Sequence, residues 1–333
     1  MIGPRHRGPG RAAPAAPGAP GPTGPVPGHR ARGYGDTLGA GLIDGSIGTL
    51  VTYSTMPAGM LVGLRTLFAA LPLAVVVTVR RDWRTLVVDR GTTIRLAVCG
   101  LALALNLLSY FIAIRETGVA VAIFLSYLAP VYVAVVAPFL EGERTERIVW
   151  LALGVGLAGM AVILVPGLAG DGDLQLTPYG LFFAVLAGVM YAVYLIVGQQ
   201  LRHRDVEATT IVFSMSAVSS VVLCGGIALL VALGRMESPL PEFTSRNLVI
   251  GVVLGVICTA LSFSLIMDGM RFIPVQHSAI LGYLEPVTAP LYALVFLGQV
   301  PSGWTVAGGA LIVAAGVLVV LYGSVEPEPE FHE

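Results

Sequence analysis

VQHSAILGYLEPVTAPLYALVFLG, residues 275–298, is apolar and long enough to cross a bilayer, yet it carries Glu285 and prolines at 286 and 290. A near-copy lies 156 residues earlier, where Arg115 to Gly142 slides onto Arg271 to Gly298 without a gap. The matches include Arg115/Arg271, Leu125/Leu281, Tyr127/Tyr283, Leu128/Leu284, Pro130/Pro286, Val131/Val287 and Gly142/Gly298. Shared Val and Ala mean little in an apolar chain. A Tyr-Leu-x-Pro-Val block with Arg before it and Gly after it is much harder to reach by chance, so the chain reads as two copies of one membrane unit.

Composition agrees. Hydrophobic residues make up 56% of 333, charged residues 12%, and the mean hydropathy is +0.84. A soluble domain carries roughly twice that charged fraction, so the expected class is all-α integral membrane. A net charge of -1, with no basic cluster interleaved with aromatics, gives no sign of nucleic-acid binding. Cys99, Cys224 and Cys258 all fall in apolar segments, an odd and dispersed set that argues against a disulfide framework or a Cys-based metal site. Neither a metal nor a cofactor is expected.

Residues 1–33 are Pro, Gly, Ala and Arg with little to bury, and are expected to form a disordered tail without a signal-peptide core. Ten apolar segments follow, at 37–54, 58–79, 96–114, 117–140, 148–167, 179–198, 208–233, 247–268, 275–298 and 303–322. Most approach the ~20 residues that a spanning helix needs. An acidic tail occupies 324–333. With the N-terminus inside, fifteen Arg fall on cytoplasmic segments and three (Arg115, Arg235, Arg246) outside, which predicts both termini in the cytoplasm. The matching helices are the fourth and ninth. A shift of five helices inverts the second copy, giving two inverted five-helix repeats over 34–168 and 169–323, a plan suited to secondary transport.

The segments LSYLAPVYVAVVAPFLEGER (125–144) and LGYLEPVTAPLYALVFLGQ (281–299), with GGALIVAAGVLVVL (308–321), resemble the EamA-type family of the drug/metabolite transporter superfamily. The resemblance covers about 37–322 and implies ten helices in two inverted repeats. It also implies transport of small metabolites, often amino acids or related compounds and often outward, across the bacterial inner membrane. Gly298-Gln299 stands where the family usually has Gly-Glu, as Gly142-Glu143 has in the first copy.

Charges in hydrocarbon are the sharpest pointer to a site, since each costs ~2.5–3.5 kcal/mol near a helix centre. Asp44 sits in LIDGSIG with Gly45 and Gly48 beside it, Arg65 in VGLRTLF, and Glu285 beside Pro286. Two readings stand for this set. In one, Arg65 forms a structural ion bridge with an acid; in the other, a carboxylate exchanges a proton while Arg65 grips a substrate carboxylate. Asn106, Tyr110, Tyr127, Tyr191, Ser262 and Tyr283 complete the expected substrate-binding set. Pro130 and Pro286, which lack an amide donor, are expected as hinges or gates. Glycine pairs at 154/156 and 308/309 suit either intrachain packing or a homodimer face.

The expected function is therefore a secondary carrier for small polar or amphipathic metabolites, with protons as a candidate coupling ion. Two alternatives are an intramembrane enzyme and a non-transporting membrane scaffold. The five histidines (6, 29, 203, 277, 332) form no pair at membrane depth, and no nucleophile–base motif is present to favour the enzyme.

Overall fold

The computed structural model describes residues 27–80, 89–141, 145–169, 177–235 and 243–324. Among these residues every regular element is helical. This is the form in which an apolar chain satisfies its own backbone without water. Nine of the helical stretches are long and apolar enough to cross a membrane, from Ala58–Val79 to Gly303–Tyr322. The outward faces carry large apolar side chains such as Phe139 (84% exposed) and Val221 (74%), as a lipid-facing surface requires.

The segment ahead of these nine is α1 (Pro27–Asp44), continued after Gly45 by α2 (Ser46–Thr52). It starts ten residues before the expected 37, so residues 27–33 are helical and not part of a disordered tail. The cause is tertiary. Arg30 donates to the Val320 and Gly323 carbonyls at 2.9 and 2.7 Å, and the Tyr34 hydroxyl meets His277 Nδ1 at 2.9 Å. The rest of the expected tail, the acidic residues after Ser324, and Gly142 and Glu143 lie outside the described residues.

Next come α3 (Ala58–Val79) and α4 (Arg90–Thr117). The latter begins six residues before the expected 96, because the Asp89 carboxylate caps it by accepting from the Thr92 amide at 3.1 Å. The third of the nine spans is broken, as α5 (Val119–Ser126) and α6 (Ala129–Glu141) flank a turn at Tyr127 and Leu128. Then follow α7 (Arg147–Ala169), α8 (Pro178–Arg202) and α9 (Ala208–Ala232). The seventh span is α10 (Ser245–Gly255) and α11 (Ser262–Gly269), joined by a π-helical stretch over Val256–Leu261. The eighth is broken where the third is. There α12 (Val275–Leu281) and α13 (Glu285–Leu297) meet at a 3-10 turn, Gly282–Leu284. Finally α14 runs Gly303–Tyr322.

Packing pairs α4 with α8 and α9, α1 and α3 with the α10–α11 span, α3 with α9, and α7 with α14. The α7–α14 contact is a close approach of small residues. A Cβ on Gly159 would meet the Gly308 carbonyl, and one on Gly308 would meet the Gly159 carbonyl. The main apolar core, including Leu103, Leu195, Met215 and Met267, lies between α4, α8, α9 and α11. Ion pairs Arg202–Asp268 (3.0 Å), Arg271–Asp205 (3.4 Å) and Arg204–Asp89 (3.9 Å) knit the helix ends on the side where α1 begins.

Candidate functional site

The two broken segments place the two acids. Asp44 is the last residue of α1, and Glu285 is the first of α13, where the positive end of the helix dipole favours a carboxylate. Both line one small cavity of about 20 Å³, room for a single water-sized group. Each acid arrives with the same escort. Thr37, Gly41 and Asp44 lie at positions 0, 4 and 7 along α1, and Ser278, Gly282 and Glu285 repeat that spacing from α12 through the turn to the start of α13. At helical spacing these share a face, and in both cases that face is the cavity wall. Tyr191, Leu195 and Ile266 close the remainder.

Two oxygens in this wall have no hydrogen-bond partner, Asp44 Oδ1 and Ser278 Oγ, and Ser278 is only 3% exposed. The Ser262 hydroxyl lies within reach of Asp44 and also donates to the Ala40 carbonyl at 3.5 Å. Tyr127 stands in the same relation to Glu285, with Tyr110 nearby. Close packing explains one of the two glycines after Asp44. A Cβ on Gly45 would overlap the Thr288 side chain, whose hydroxyl bonds the Gly41 carbonyl at 3.2 Å, whereas Gly48 has nothing within 4 Å.

Arg65 does not form the expected ion bridge. Its Nε donates to Thr259 Oγ1 at 2.5 Å and a terminal nitrogen donates to the Cys258 carbonyl at 3.0 Å. Both partners belong to the π-helical stretch, which frees the backbone and hydroxyl acceptors that the guanidinium takes. Arg65 remains in electrostatic range of Asp44 and Glu285 but belongs to none of the ion pairs among the described residues. The structural ion bridge is therefore replaced by a tie to α10–α11.

Two more expected site residues bond to backbone carbonyls, and a third faces the cavity. Asn106 donates to the Ala187 carbonyl of α8 at 2.8 Å. The Tyr283 hydroxyl donates to the Tyr127 carbonyl at 2.8 Å, and its ring fills the space left by Gly156. Tyr191 does line the cavity, with its ring edge-on to Tyr194 at 4.9 Å between centroids. Pro130 and Pro286 are each second in the helix that follows a break, where no intrahelical donor is lost. They start half-helices and do not kink continuous ones. At the first break the Leu125 and Ser126 carbonyls abut Gly188 of α8, where any side chain would collide.

Thr37, Ser278, Leu195, Ile266 and Thr259 were not anticipated. For Thr37 and Ser278 the signal was available in the shared hydroxyl–glycine–acid spacing. A larger groove of about 420 Å³ lies between α1, α12 and α14, but residues such as Leu38, Leu281, Leu284 and Val317 make it wholly apolar, the chemistry of a wall facing lipid.

A helical bundle with nine membrane-length spans among the described residues, and two acids lining one small internal cavity, defines a multi-pass membrane protein. The pattern of the EamA-like transporter family matches residues 33–165 and 178–322, and the chain belongs to that family, one of transporters and not of enzymes. An "Uncharacterized transporter" of Archaeoglobus fulgidus is 33% identical over 65% of this chain and 72% of its own. YxxF of Bacillus subtilis, also named an uncharacterized transporter, is 26% identical over 84% and 86%. The threonine/homoserine exporter RhtA of Salmonella typhimurium is 26% identical over 80% and 84%. A crystal structure superposes with a TM-score of 0.71 at 20% identity, over 89% of this chain and 98% of its own, a likeness of fold.

Proposed function

We propose that this protein is a secondary transporter that moves small metabolites, amino acids or related polar and amphipathic compounds, out across the bacterial inner membrane by alternating access. The segment α1–α2 is taken as the first of ten spans, with the two halves as inverted repeats and both termini in the cytoplasm.

One observation carries this reading: an acid-lined cavity too small for a metabolite, held between two tied ends. On the side where α1 begins, Tyr34 meets His277, and Gln199 donates to the Met270 and Ile273 carbonyls at 3.3 and 3.1 Å. On the opposite side, Asn247 Oδ1 accepts from Ser54 Oγ at 3.1 Å and from the Thr55 amide at 3.2 Å, and the Tyr53 hydroxyl donates to the Phe296 carbonyl at 2.8 Å. A carrier passes through such a closed state between its two open ones. The pairing of α4 with α8 and α9, mirrored by the α10–α11 span with α1 and α3, supports the repeat plan. Outward direction rests on the likeness to the threonine/homoserine exporter RhtA. The broken helices at Pro130 and Pro286 are the proposed gates, and the acids the proposed carriers of a coupling proton.

Saturable counterflow of amino acids in proteoliposomes tests the transport reading. Uptake that is linear in concentration and shows no exchange would overturn it.

A further inference from the structure

We infer that the cavity between Asp44 and Glu285 is an ammonium-binding subsite, and that the cargo is recognised through a protonated primary amine. The inference rests on the transport reading only in taking the ligand to be cargo.

Charge comes first. Two carboxylates line the cavity, while Arg65, the nearby cation among the described residues, directs its Nε and one terminal nitrogen to Thr259 and Cys258 and pairs with neither acid. With both acids ionised the site lacks one positive charge. Hydrogen bonding points the same way. Asp44 and the 3%-exposed Ser278 both line the cavity, Asp44 Oδ1 and Ser278 Oγ have no partner among the described residues, and both can accept from a ligand that brings several donors. An ammonium brings three. Buried polar atoms without partners are costly, so their convergence on one space points to a ligand there.

Size and the apolar part of the wall select the class of cation. The space of about 20 Å³ takes one water-sized group, which is the size of an ammonium head. Leu195, Ile266 and the Tyr191 ring complete the lining. Apolar groups suit the carbon next to the charge, and an aromatic ring attracts the charge itself. A bare metal ion would ask for oxygen on all sides. The rest of an amine cargo enters only when one end opens.

The test uses the full chain in detergent and follows thermal unfolding against n-butylammonium, n-butyrate and n-butanol. Binding to the folded state raises the apparent melting temperature with concentration. The expected result is a rise with n-butylammonium alone, its half-saturating concentration at least tenfold higher in Asp44→Asn or Glu285→Gln and several-fold higher in Ser278→Ala. An equal rise with n-butyrate or n-butanol, or unchanged amine affinity in whichever of these variants folds, overturns the inference. So does a rise with NaCl over KCl that abolishes the amine effect, which marks a bare-cation site. Amine binding without counterflow sinks the carrier reading alone; counterflow of amino acids without amine binding sinks this inference alone.

Discussion

Tyr283 and Tyr127, which occupy the same position in the two copies of the repeated segment, touch each other: the Tyr283 hydroxyl donates to the Tyr127 carbonyl at 2.8 Å, with ring centroids 6.1 Å apart. The contact joins the two broken spans at their breaks, where backbone carbonyls lack the partners that a continuous helix provides. Tyr283→Phe keeps the ring and removes only the donor. We expect a loss of about 1 kcal/mol by thermal or denaturant unfolding in detergent, whereas Tyr283→Ala opens a cavity against Gly156 and costs several times more. Equal stability of Tyr283→Phe and wild type would show that the hydrogen bond contributes nothing to holding the breaks together.

The α7–α14 contact depends on the absence of side chains. Gly308→Val would drive methyl groups into the Gly159 carbonyl and Ile163, and we expect it to lower the monodisperse fraction after size-exclusion chromatography sharply. Gly154→Ala is the control. Nothing lies within 4 Å of its Cβ position, and the gain in helix propensity, up to about 1 kcal/mol, leaves it neutral or stabilised. A homodimer built on the Gly154 face would reverse that outcome.

Arg65 is expected to act through the π-helical stretch. Arg65→Lys replaces a two-pronged donor with a point charge, and Thr259→Val removes one of its two acceptors. Each should lower the maximal counterflow rate with little change in half-saturating concentration, and the double variant should be no worse than the poorer single one. A raised half-saturating concentration at an unchanged maximal rate would return Arg65 to the role of a substrate clamp.

Asp89, outside the spans, caps α4, and the Thr92 and Gly91 amides that bond its carboxylate hold it below the usual aspartate range. Because the folded-state value is the lower one, the stabilisation is complete above the unfolded-chain value near 3.8 and is lost as pH falls through the folded-state value. We expect Asp89→Ala to lower the melting temperature at pH 7, and the gap to wild type to narrow only below about pH 4. A gap that is constant from pH 7 to 3 would assign the effect to packing.

Much of this protein was legible in its residues. Nine spans and the internal likeness of 115–142 to 271–298 follow from hydrophobic length and from a repeated Tyr-Leu-x-Pro-Val block, because a chain in lipid must bond its own backbone within each span. Asp44 and Glu285 stood out for the same reason, as charges that hydrocarbon penalises. Which way each helix face turns was a different matter. Lipid and the bundle interior are equally apolar, so hydrophobic pattern does not orient a membrane helix as it orients a soluble one. Only the tertiary structure sent Tyr283 and Asn106 to backbone carbonyls, turned Arg65 to the π-helical stretch and brought Leu195 and Ile266 to the cavity. The early start of α1 was equally hidden, since the carbonyls that hold Arg30 lie 290 and 293 residues further along the chain, where no local signal reaches.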